Sequence, residues 1–288
     1  MKPSLDQLDV AVIGTGTMGR GIVQVFASSH NVSRIVWIAR TSEGSTRARR
    51  AFETLLDQLV SKGKASIAEA SLWLSKVAFT DDFSRLENIS FVIEAVSENL
   101  TEKALVFKAL SPFVSASTII ASNTSSLSIT QLAACTPYPA NVVGLHFFNP
   151  APVMKLAEVI VGMVSSDDAV EWTTEFAGIL GKEAVQVKEA PGFIVNRMLI
   201  PMINEAIGIL AEGVAPAADI DKAMRLGANH PLGPLALADL IGNDVNLSIM
   251  ETLHQETGDP KYRAHPLLRK MVRANQLGRK TKVGFFQY

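Results

Sequence analysis

A histidine and a glutamate stand in the apolar segment HFFNPAPVMKLAEVI. His146 follows the apolar run 142–145, and Glu158 alternates with Leu156 and Ile160 in a strand-like pattern. Burying an ionised carboxylate without a partner costs several kcal/mol, so we expect a histidine from the adjoining strand to meet it. Glu158 would then fix the tautomer of His146 and raise its basicity, as general-base catalysis requires. From the residues alone, a purely structural role for both remains open.

Five small polar residues, Ser122-Asn123-Thr124-Ser125-Ser126, follow the predicted strand 118–121. Such residues commonly form turns and cap helices. Their position at the carboxyl end of a strand also makes them candidate hydroxyl donors to a substrate oxygen. His146 ends another predicted strand, and ligands of open α/β sheets bind outside these ends. The two motifs therefore predict one site, with Asn123 on its cofactor side.

A glycine-rich sequence, Gly14-Thr15-Gly16-Thr17-Met18-Gly19, connects the predicted strand 10–13 to a helical pattern. The glycines permit a tight turn and a close approach of the backbone to a pyrophosphate, and the start of the helix favours negative charge. A glycine-rich turn without a ligand is the alternative. The position after a strand and before a helix favours dinucleotide binding by Gly14, Gly16, Thr17, Met18 and Gly19.

The segment SFVIEAVSENLTEK passes from a predicted strand into a helix at whose start Asn99 and Glu102 have capping-box spacing. A well-capped helix is one interpretation. Glu98 and Lys103 also lie beyond the carboxyl end of a strand, so both are candidates for the ribose and nicotinamide side of a cofactor crevice. The spacing leaves both interpretations open.

The residue that ends the second predicted strand determines which nicotinamide cofactor we expect. A carboxylate about 20 residues past the glycine loop usually binds the ribose hydroxyls of NAD. Here that position is Ala39, followed by Arg40, Thr41 and Ser42. Because Ala39 carries no carboxylate, a ribose 2′-phosphate would meet no repulsion there. Arg40 and Thr41 can bind such a phosphate. We therefore expect NADP to be favoured over NAD, although an arginine at a strand end can also be merely solvated.

Short β-branched runs alternate with helical patterns through the first two thirds of the chain. This alternation predicts an α/β fold with a Rossmann-type, doubly wound and largely parallel sheet. After the break at Pro191-Gly192 the pattern becomes helical. We expect a dinucleotide-binding domain over 1–190 and a helical substrate and dimerisation domain over 191–288, whose apolar helices favour a homodimer. The predicted strands are 10–13, 35–39, 91–95, 118–121, 142–146, 155–161 and 183–188.

Composition excludes several classes of function. The net charge is −1 over 288 residues, so no global field favours nucleic acid or an anionic membrane. One cysteine, no secretory signal pattern and no long apolar run favour a reducing cytoplasm and no membrane span. The histidines show no metal-ligand spacing and Cys135 has no catalytic partner nearby in sequence, so we expect neither metal nor thiol catalysis.

Several long motifs in order make the chain resemble the L-3-hydroxyacyl-CoA dehydrogenase family over nearly its whole length. They are the glycine fingerprint, SNTSSL, GLHFFNPAPVMKLAEV, PGFIVNR and the closing KVGFF. The resemblance implies that His146 is the acid/base residue and Glu158 its partner. It implies that Ser125 and Asn196 hydrogen-bond the reacting oxygen and that Glu98 and Lys103 lie near the cofactor.

The implied reaction is hydride transfer between NAD(P) and C3 of an L-3-hydroxyacyl-CoA. Two other functions remain open: the same chemistry on an acyl-carrier-protein thioester or a free hydroxy acid, and a catalytically silent dinucleotide-binding protein. Positive charge in the helical stretch 43–75 predicts contact with the nucleotide of CoA, because related enzymes carry a lysine-bearing helical insertion there. A solvated helix face is the alternative for these residues, which include Arg50, Lys62 and Lys64.

Overall fold

The structure, a computed structural model, describes residues 3–288. Two compact units divide the chain: the first ends at Glu189, and the second runs from Ala190 to Tyr288. The first contains a sheet with helices, and the second consists of helices. The predicted α/β fold with a helical C-terminal part is confirmed.

Eight strands form a single sheet in the first unit, in the order β3-β2-β1-β4-β5-β6-β7-β8. The order reverses beside β1, which creates the crevice between β1 and β4 where ligands of doubly wound sheets bind. A short strand, β3, was not predicted. The strands are β1 (Leu8–Ile13), β2 (Val32–Ile38), β3 (Val77–Thr80), β4 (Phe91–Glu94), β5 (Ile119–Ser122), β6 (Val142–Phe147), β7 (Leu156–Val161) and β8 (Glu183–Lys188).

The last two strands run against the other six, and the turn before them brings the end of β6 next to the start of β7. Strands β1 to β6 pair in parallel, whereas β7 is antiparallel to β6 and parallel to β8. The segment between β6 and β7 is too short for a parallel crossover, which needs a dozen or more residues. The register of this antiparallel pair places His146 directly opposite Glu158.

Within residues 3–189, six α-helices accompany the sheet. The stretch 43–75, read from the sequence as one helical segment, is two helices, because Gly63 adopts φ +65° and Ser66 starts a new helix with a capping box. The helices are α1 (Thr17–Ser28), α2 (Ser42–Ser61), α3 (Ile67–Ser75), α4 (Leu100–Leu110), α5 (Ile129–Ala133) and α6 (Asp167–Ile179). Short 3₁₀ helices span Phe83–Leu86, Ser111–Phe113 and Pro139–Asn141.

Aromatic side chains from α1, β4 and α6 form the centre of the core in the first unit. The rings of Phe91 and Phe176 lie 4.7 Å apart, and those of Phe26 and Phe176 lie 5.4 Å apart. Trp172 stacks on Phe91 at 5.5 Å. Such contacts add to the apolar burial and fix the helices against one face of the sheet.

The second unit contains five α-helices around its own apolar core. The apolar stretch 235–253, for which the sequence predicts one helix, forms two helices, because Gly242 between them adopts φ +108°. Buried Asp239 accepts hydrogen bonds from the backbone N–H groups of Phe285 and Phe286 and thereby holds the final residues. The helices are α7 (Val195–Ala211), α8 (Ala217–Gly227), α9 (Pro234–Ile241), α10 (Asn243–Thr257) and α11 (Pro266–Arg273), with 3₁₀ turns at Pro260–Tyr262 and Arg279–Thr281.

Among residues 3–288, no helix combines the length and the hydropathy that are needed to cross a bilayer.

Candidate active site

The imidazole of His146 and the carboxylate of Glu158 form a buried hydrogen-bonded pair. His146 Nδ1 lies 2.8 Å from Glu158 Oε2, and the two residues are 5% and 1% exposed. An ionised Glu158 can only accept this hydrogen bond, in which case Nδ1 is the donor and Nε2 is the ring nitrogen able to act as a base. The structure thus places together the two residues that the sequence analysis paired.

The segment 148–155, which joins the two strands of this pair, is held by a buried lysine. Lys182 Nζ donates to the carbonyl oxygens of Ala151 and Met154, at 2.6 and 2.8 Å. Burial lowers the pKa of Lys182. On its other side the segment meets α1, because a Cβ on Gly21 would lie 3.2 Å from the Cβ of Ala151. These contacts fix the chain that leaves His146.

A turn rich in hydroxyl groups follows β5 and wraps around the carboxylate of Glu98. Oε1 of Glu98 accepts from the hydroxyl of Thr124 at 2.7 Å and from the backbone N–H of Ser125 at 2.7 Å. It also accepts from the hydroxyl of Ser125 at 2.9 Å and from the N–H of Ser126 at 3.1 Å. Asn123 connects this turn to β6, because its Oδ1 accepts from the N–H of Phe147 at 2.8 Å.

Glu98 remains ionised in this environment. Burial alone would raise its pKa, but Lys103 and the donors of the turn outweigh that effect and hold the pKa of Glu98 below its ordinary value. The ammonium of Lys103 lies 3.4 Å from Glu98 Oε2. The sequence placed both residues at this edge of the sheet, and the structure shows that they form an ion pair.

The glycine loop between β1 and α1 has the form of a phosphate cradle. Gly14 adopts φ +112°, and a Cβ there would lie 2.5 Å from the carbonyl oxygen of Ala95. A Cβ on Gly19 would lie 2.1 Å from Gly14 O, so helix and strand pack closely only without one. Helix α1 begins at Thr17 with no side-chain cap and no acidic residue in its first turn. Its first N–H groups therefore fit the pyrophosphate of a dinucleotide.

The open side of this loop lies at Gly16. An ideal Cβ on Gly16 meets no atom within 4 Å, and the residue is exposed. On the protein side, the indole of Trp37 holds the loop, since its Nε1 donates to Gly14 O at 2.8 Å. The loop is thus rigid on the protein side and accessible on the other.

Comparisons with known proteins identify the family. Residues 9–190 match the family model described as 3-hydroxyacyl-CoA dehydrogenase, NAD binding domain, and residues 192–288 match 3-hydroxyacyl-CoA dehydrogenase, C-terminal domain. The chain belongs to the 3-hydroxyacyl-CoA dehydrogenase family. The predicted family and oxidoreductase class are confirmed, and the cofactor is a nicotinamide dinucleotide.

Individual members of the family match along the full chain. A 3-hydroxybutyryl-CoA dehydrogenase of Clostridioides difficile is 52% identical over 98% of this chain and 99% of its own. A human mitochondrial hydroxyacyl-coenzyme A dehydrogenase is 40% identical over 97% and 90%. The solved structure of (S)-3-hydroxybutyryl-CoA dehydrogenase from Ralstonia eutropha matches with a TM-score of 0.91 and 43% identity over 97% and 98%.

The remaining predicted residues lie apart from this cluster within the first unit or belong to the second. Arg40 is exposed directly after β2, and Thr41 caps α2 by accepting from Gly44 N. Arg50 is exposed on α2, and Lys62 and Lys64 are exposed in the turn after it. Asn196 lies in the first turn of α7, in the second unit. Residues 3–288 contain no group of three or more side chains suited to a metal ion.

Glu94 is the main residue of the site that the sequence analysis missed. It is fully buried at the end of β4, and its carboxylate accepts from Ser122 Oγ at 2.6 Å and Lys103 Nζ at 2.8 Å. The signal was present, because a glutamate that ends the apolar run FVIE needs a partner as Glu158 does. The same reasoning predicts a buried partner for Glu94, and the structure identifies Ser122 and Lys103 in that role.

We predict that Gly16→Ala weakens cofactor binding without destabilising the fold. Gly16 has φ −70°, which alanine adopts, and its Cβ would point into open space, where we expect a phosphate of the cofactor to bind. The Kd for the reduced cofactor should rise by about 5- to 150-fold, the range that corresponds to an overpacking cost of about 1–3 kcal/mol. Fluorescence titration measures it.

The matched control is Gly178→Ala, another site where a Cβ meets nothing within 4 Å. This variant should bind the cofactor as the wild type does. An unchanged Kd in Gly16→Ala would show that the cofactor phosphates do not approach this loop.

Proposed function

We propose that this chain oxidises the C3 hydroxyl of a short L-3-hydroxyacyl-CoA to the 3-oxoacyl-CoA and catalyses the reverse reduction. The observation that carries the proposal is the buried pair of His146 and Glu158, at the same edge of the sheet as the glycine loop. The names of the relatives from Clostridioides difficile and Ralstonia eutropha support a 3-hydroxybutyryl substrate.

His146 acts as the general base in this proposal. Glu158 keeps the proton on Nδ1, so Nε2 takes the proton of the substrate hydroxyl. Bound NAD(P) supplies the hydride acceptor, to which the hydrogen and electron pair of the C3–H bond pass. In the reverse direction His146 returns its proton to the alkoxide. Glu158 also stabilises the imidazolium that forms when His146 has taken the proton of the substrate.

Ser125 and Asn196 polarise the oxygen of the substrate in the proposed reaction. As the C3–O bond gains double-bond character, hydrogen bonds to its oxygen stabilise the charge that develops there. Ser125 has one hydroxyl proton, which faces Glu98 in this structure. Donation to the substrate therefore requires rotation of this hydroxyl, while Glu98 still accepts from the N–H groups of Ser125 and Ser126.

The cofactor site in this proposal has two parts. The pyrophosphate lies on the backbone of Gly14, Gly16, Thr17, Met18 and Gly19. Glu98, Lys103 and Asn123 lie towards the nicotinamide, with Glu98 and Lys103 acting as one unit because an ion pair joins them.

We predict that His146→Gln lowers kcat by about 10²- to 10⁴-fold, the range of general acid–base catalysis, with little change in the Kd for the cofactor. Glu158→Gln should have a similar effect, because its amide no longer fixes the tautomer of His146. Steady-state kinetics with a short L-3-hydroxyacyl-CoA measure kcat. His30→Gln, an exposed histidine of the same unit, is the control and should be fully active. Near-normal turnover of both site variants would contradict the assignment.

We also propose that α2 and the turn after it bind the nucleotide end of CoA through Arg50, Lys62 and Lys64. All three side chains are exposed. Arg49 of the same helix pairs with Glu53 at 2.9 Å and lies over the ring of Phe79, so it has another role. The phosphates of CoA are the anions that these cations would meet.

We predict that Lys62→Glu with Lys64→Glu raises the KM for acyl-CoA several-fold, because attraction to the phosphates becomes repulsion. The KM for a truncated pantetheine thioester should not change, because it lacks the nucleotide. Charge reversal at the exposed residues Lys108 and Lys188 is the control for net charge. Equal effects on both substrates would show that these lysines do not bind the nucleotide.

We propose a homodimer formed through the second unit. Large apolar side chains are exposed on its helices and loops, among them Leu226 at 77% and Met198 at 72%. We predict that sedimentation gives twice the mass of one chain and that Leu226→Asp shifts the equilibrium towards the monomer. A monomer at micromolar concentration in the wild type would exclude the dimer.

For the cofactor, we propose a preference for NADP over NAD. Ala39 is buried at the end of β2 and brings no carboxylate to the adenosine ribose, while the next residue, Arg40, is exposed. Thr41 keeps its hydroxyl oxygen close to the start of α2, whose N–H groups favour negative charge. A ribose 2′-phosphate would find a guanidinium, a hydroxyl and a helix start at this position.

We predict that Arg40→Ala lowers kcat/KM for NADP about ten- to a hundredfold, because a hydrogen bond to a charged group contributes about 1.5–3 kcal/mol. The value for NAD should change little. Ala39→Asp should shift the preference towards NAD. A clear preference for NAD in the wild type would refute the proposal.

A further inference from the structure

Three ionisable side chains outside the His146 pair lie together at the carboxyl ends of β4 and β5. Lys103, which is 1% exposed, reaches from α4 to Glu94 Oε1 at 2.8 Å and to Glu98 Oε2 at 3.4 Å. Its Nζ also donates to the carbonyl oxygen of Val96 at 3.3 Å. A buried ammonium without partners would be very costly, so these contacts hold the lysine in one place.

Glu94 fixes one side of this cluster. It is 0% exposed and lies opposite Ser122 in the pairing of β4 and β5. Besides Lys103, its oxygens accept from the N–H of Val96 at 2.6 Å and from the hydroxyl of Ser122 at 2.6 Å. Ser122 Oγ in turn accepts from the N–H of Thr124 at 3.2 Å. Glu94 therefore touches both the lysine and the start of the hydroxyl turn.

Glu98 fixes the other side. Its Oε1 collects the hydroxyl and N–H donors of residues 124–126, and its Oε2 faces Lys103. Of the charged groups around it, Lys103 contacts it directly and Glu94 stands behind Lys103. Glu102 of the same segment bonds to Ser97 Oγ instead. The position of the turn that carries Ser125 thus depends on the position of Glu98.

We propose that Glu94 is a positioning residue for the dehydrogenase reaction: it fixes the Lys103 ammonium against Glu98, and Glu98 holds the turn that carries Ser125. The inference rests on the proposed function, in which Ser125 donates to the reacting oxygen. A displacement of the donor by a fraction of an ångström reduces its effect on the transition state. Glu94 acts on the reaction only through this chain of contacts.

The contacts from Glu94 through Lys103 to Glu98 should affect how kcat depends on pH. The Lys103 charge is one of the groups that hold the pKa of Glu98 below its ordinary value, so the pKa of Glu98 should be higher in Lys103→Met than in the wild type. A protonated Glu98 loses acceptor capacity for the donors of the turn. In Lys103→Met, activity should therefore fall at a higher pH than in the wild type as the solution is made more acidic. A lysine that merely fills space would leave the acidic limb unmoved.

The experiment is a double-mutant cycle of Glu94→Gln and Lys103→Met, read as kcat against pH with a short L-3-hydroxyacyl-CoA. Each single variant should lose about ten- to a hundredfold in kcat, the scale of a displaced catalytic group, with cofactor Kd changed less. The double variant should lose little more than either single one, because Glu94 acts through Lys103. It removes both partners of the fully buried Glu94–Lys103 ion pair together, so it remains informative if a single variant folds poorly.

Lys108→Met, an exposed lysine of the same helix, is the control and should retain the wild-type kcat and pH profile. Additive losses in the double variant, or an acidic limb that stays in place in Lys103→Met, would overturn the proposal while the proposed function stands. A wild type that does not oxidise hydroxyacyl-CoA would overturn both.

Discussion

The hydrogen bond between His146 and Glu158 constrains the rest of the first unit. A carboxyl group that is 1% exposed needs a hydrogen-bond partner at a fixed position, and the antiparallel pairing of β6 with β7 supplies one directly opposite. A slip of one residue in this register would turn the side chains to opposite faces of the sheet. Lys182 holds the connecting segment, and the apolar neighbours on both strands exclude water from the pair. The same strand register therefore satisfies the buried carboxyl group and orients the imidazole.

The parallel part of the sheet gathers the other groups around this pair. Strands β1, β4, β5 and β6 point in the same direction, so their carboxyl ends form one edge. The glycine loop follows β1, the acidic cluster of Glu94 and Glu98 follows β4, and the hydroxyl turn follows β5. Each group is held by contacts with its neighbour: Ser122 with Glu94, the turn with Glu98, and Asn123 with the end of β6. Buried charges in this edge are neutralised by specific partners, which makes the geometry of the site rigid.

Much of this arrangement was predictable because the sequence carries strong local signals. Apolar runs identified the strands that position the site, and an ionisable residue inside such a run identified His146 and Glu158. Glu94 was not predicted, although it is also an ionisable residue that ends an apolar run, FVIE. The prediction for this segment rested on residues beyond the end of the strand, which are Glu98 and Lys103. Strand β3 was missed because Val77–Thr80 is short and partly exposed, so its hydrophobic pattern is weak.

The antiparallel direction of β7 cannot be predicted from the alternation of apolar and polar residues. It follows from the short connection after His146, a constraint of chain length rather than of residue type. Lys182 could not be predicted, since its partners are backbone carbonyls distant in sequence.

The central claim is that this edge of the sheet oxidises a 3-hydroxyacyl thioester with His146 as the base. The most direct test is reduction of a nicotinamide cofactor by the purified chain, followed spectroscopically with the L and D enantiomers of a short 3-hydroxyacyl-CoA, a matching acyl-carrier-protein thioester and the free hydroxy acid. We expect stoichiometric formation of reduced cofactor and 3-oxoacyl-CoA from the L-CoA ester alone. Tight binding of the cofactor with no reduction on any of these substrates would contradict it and would identify a catalytically silent dinucleotide-binding protein.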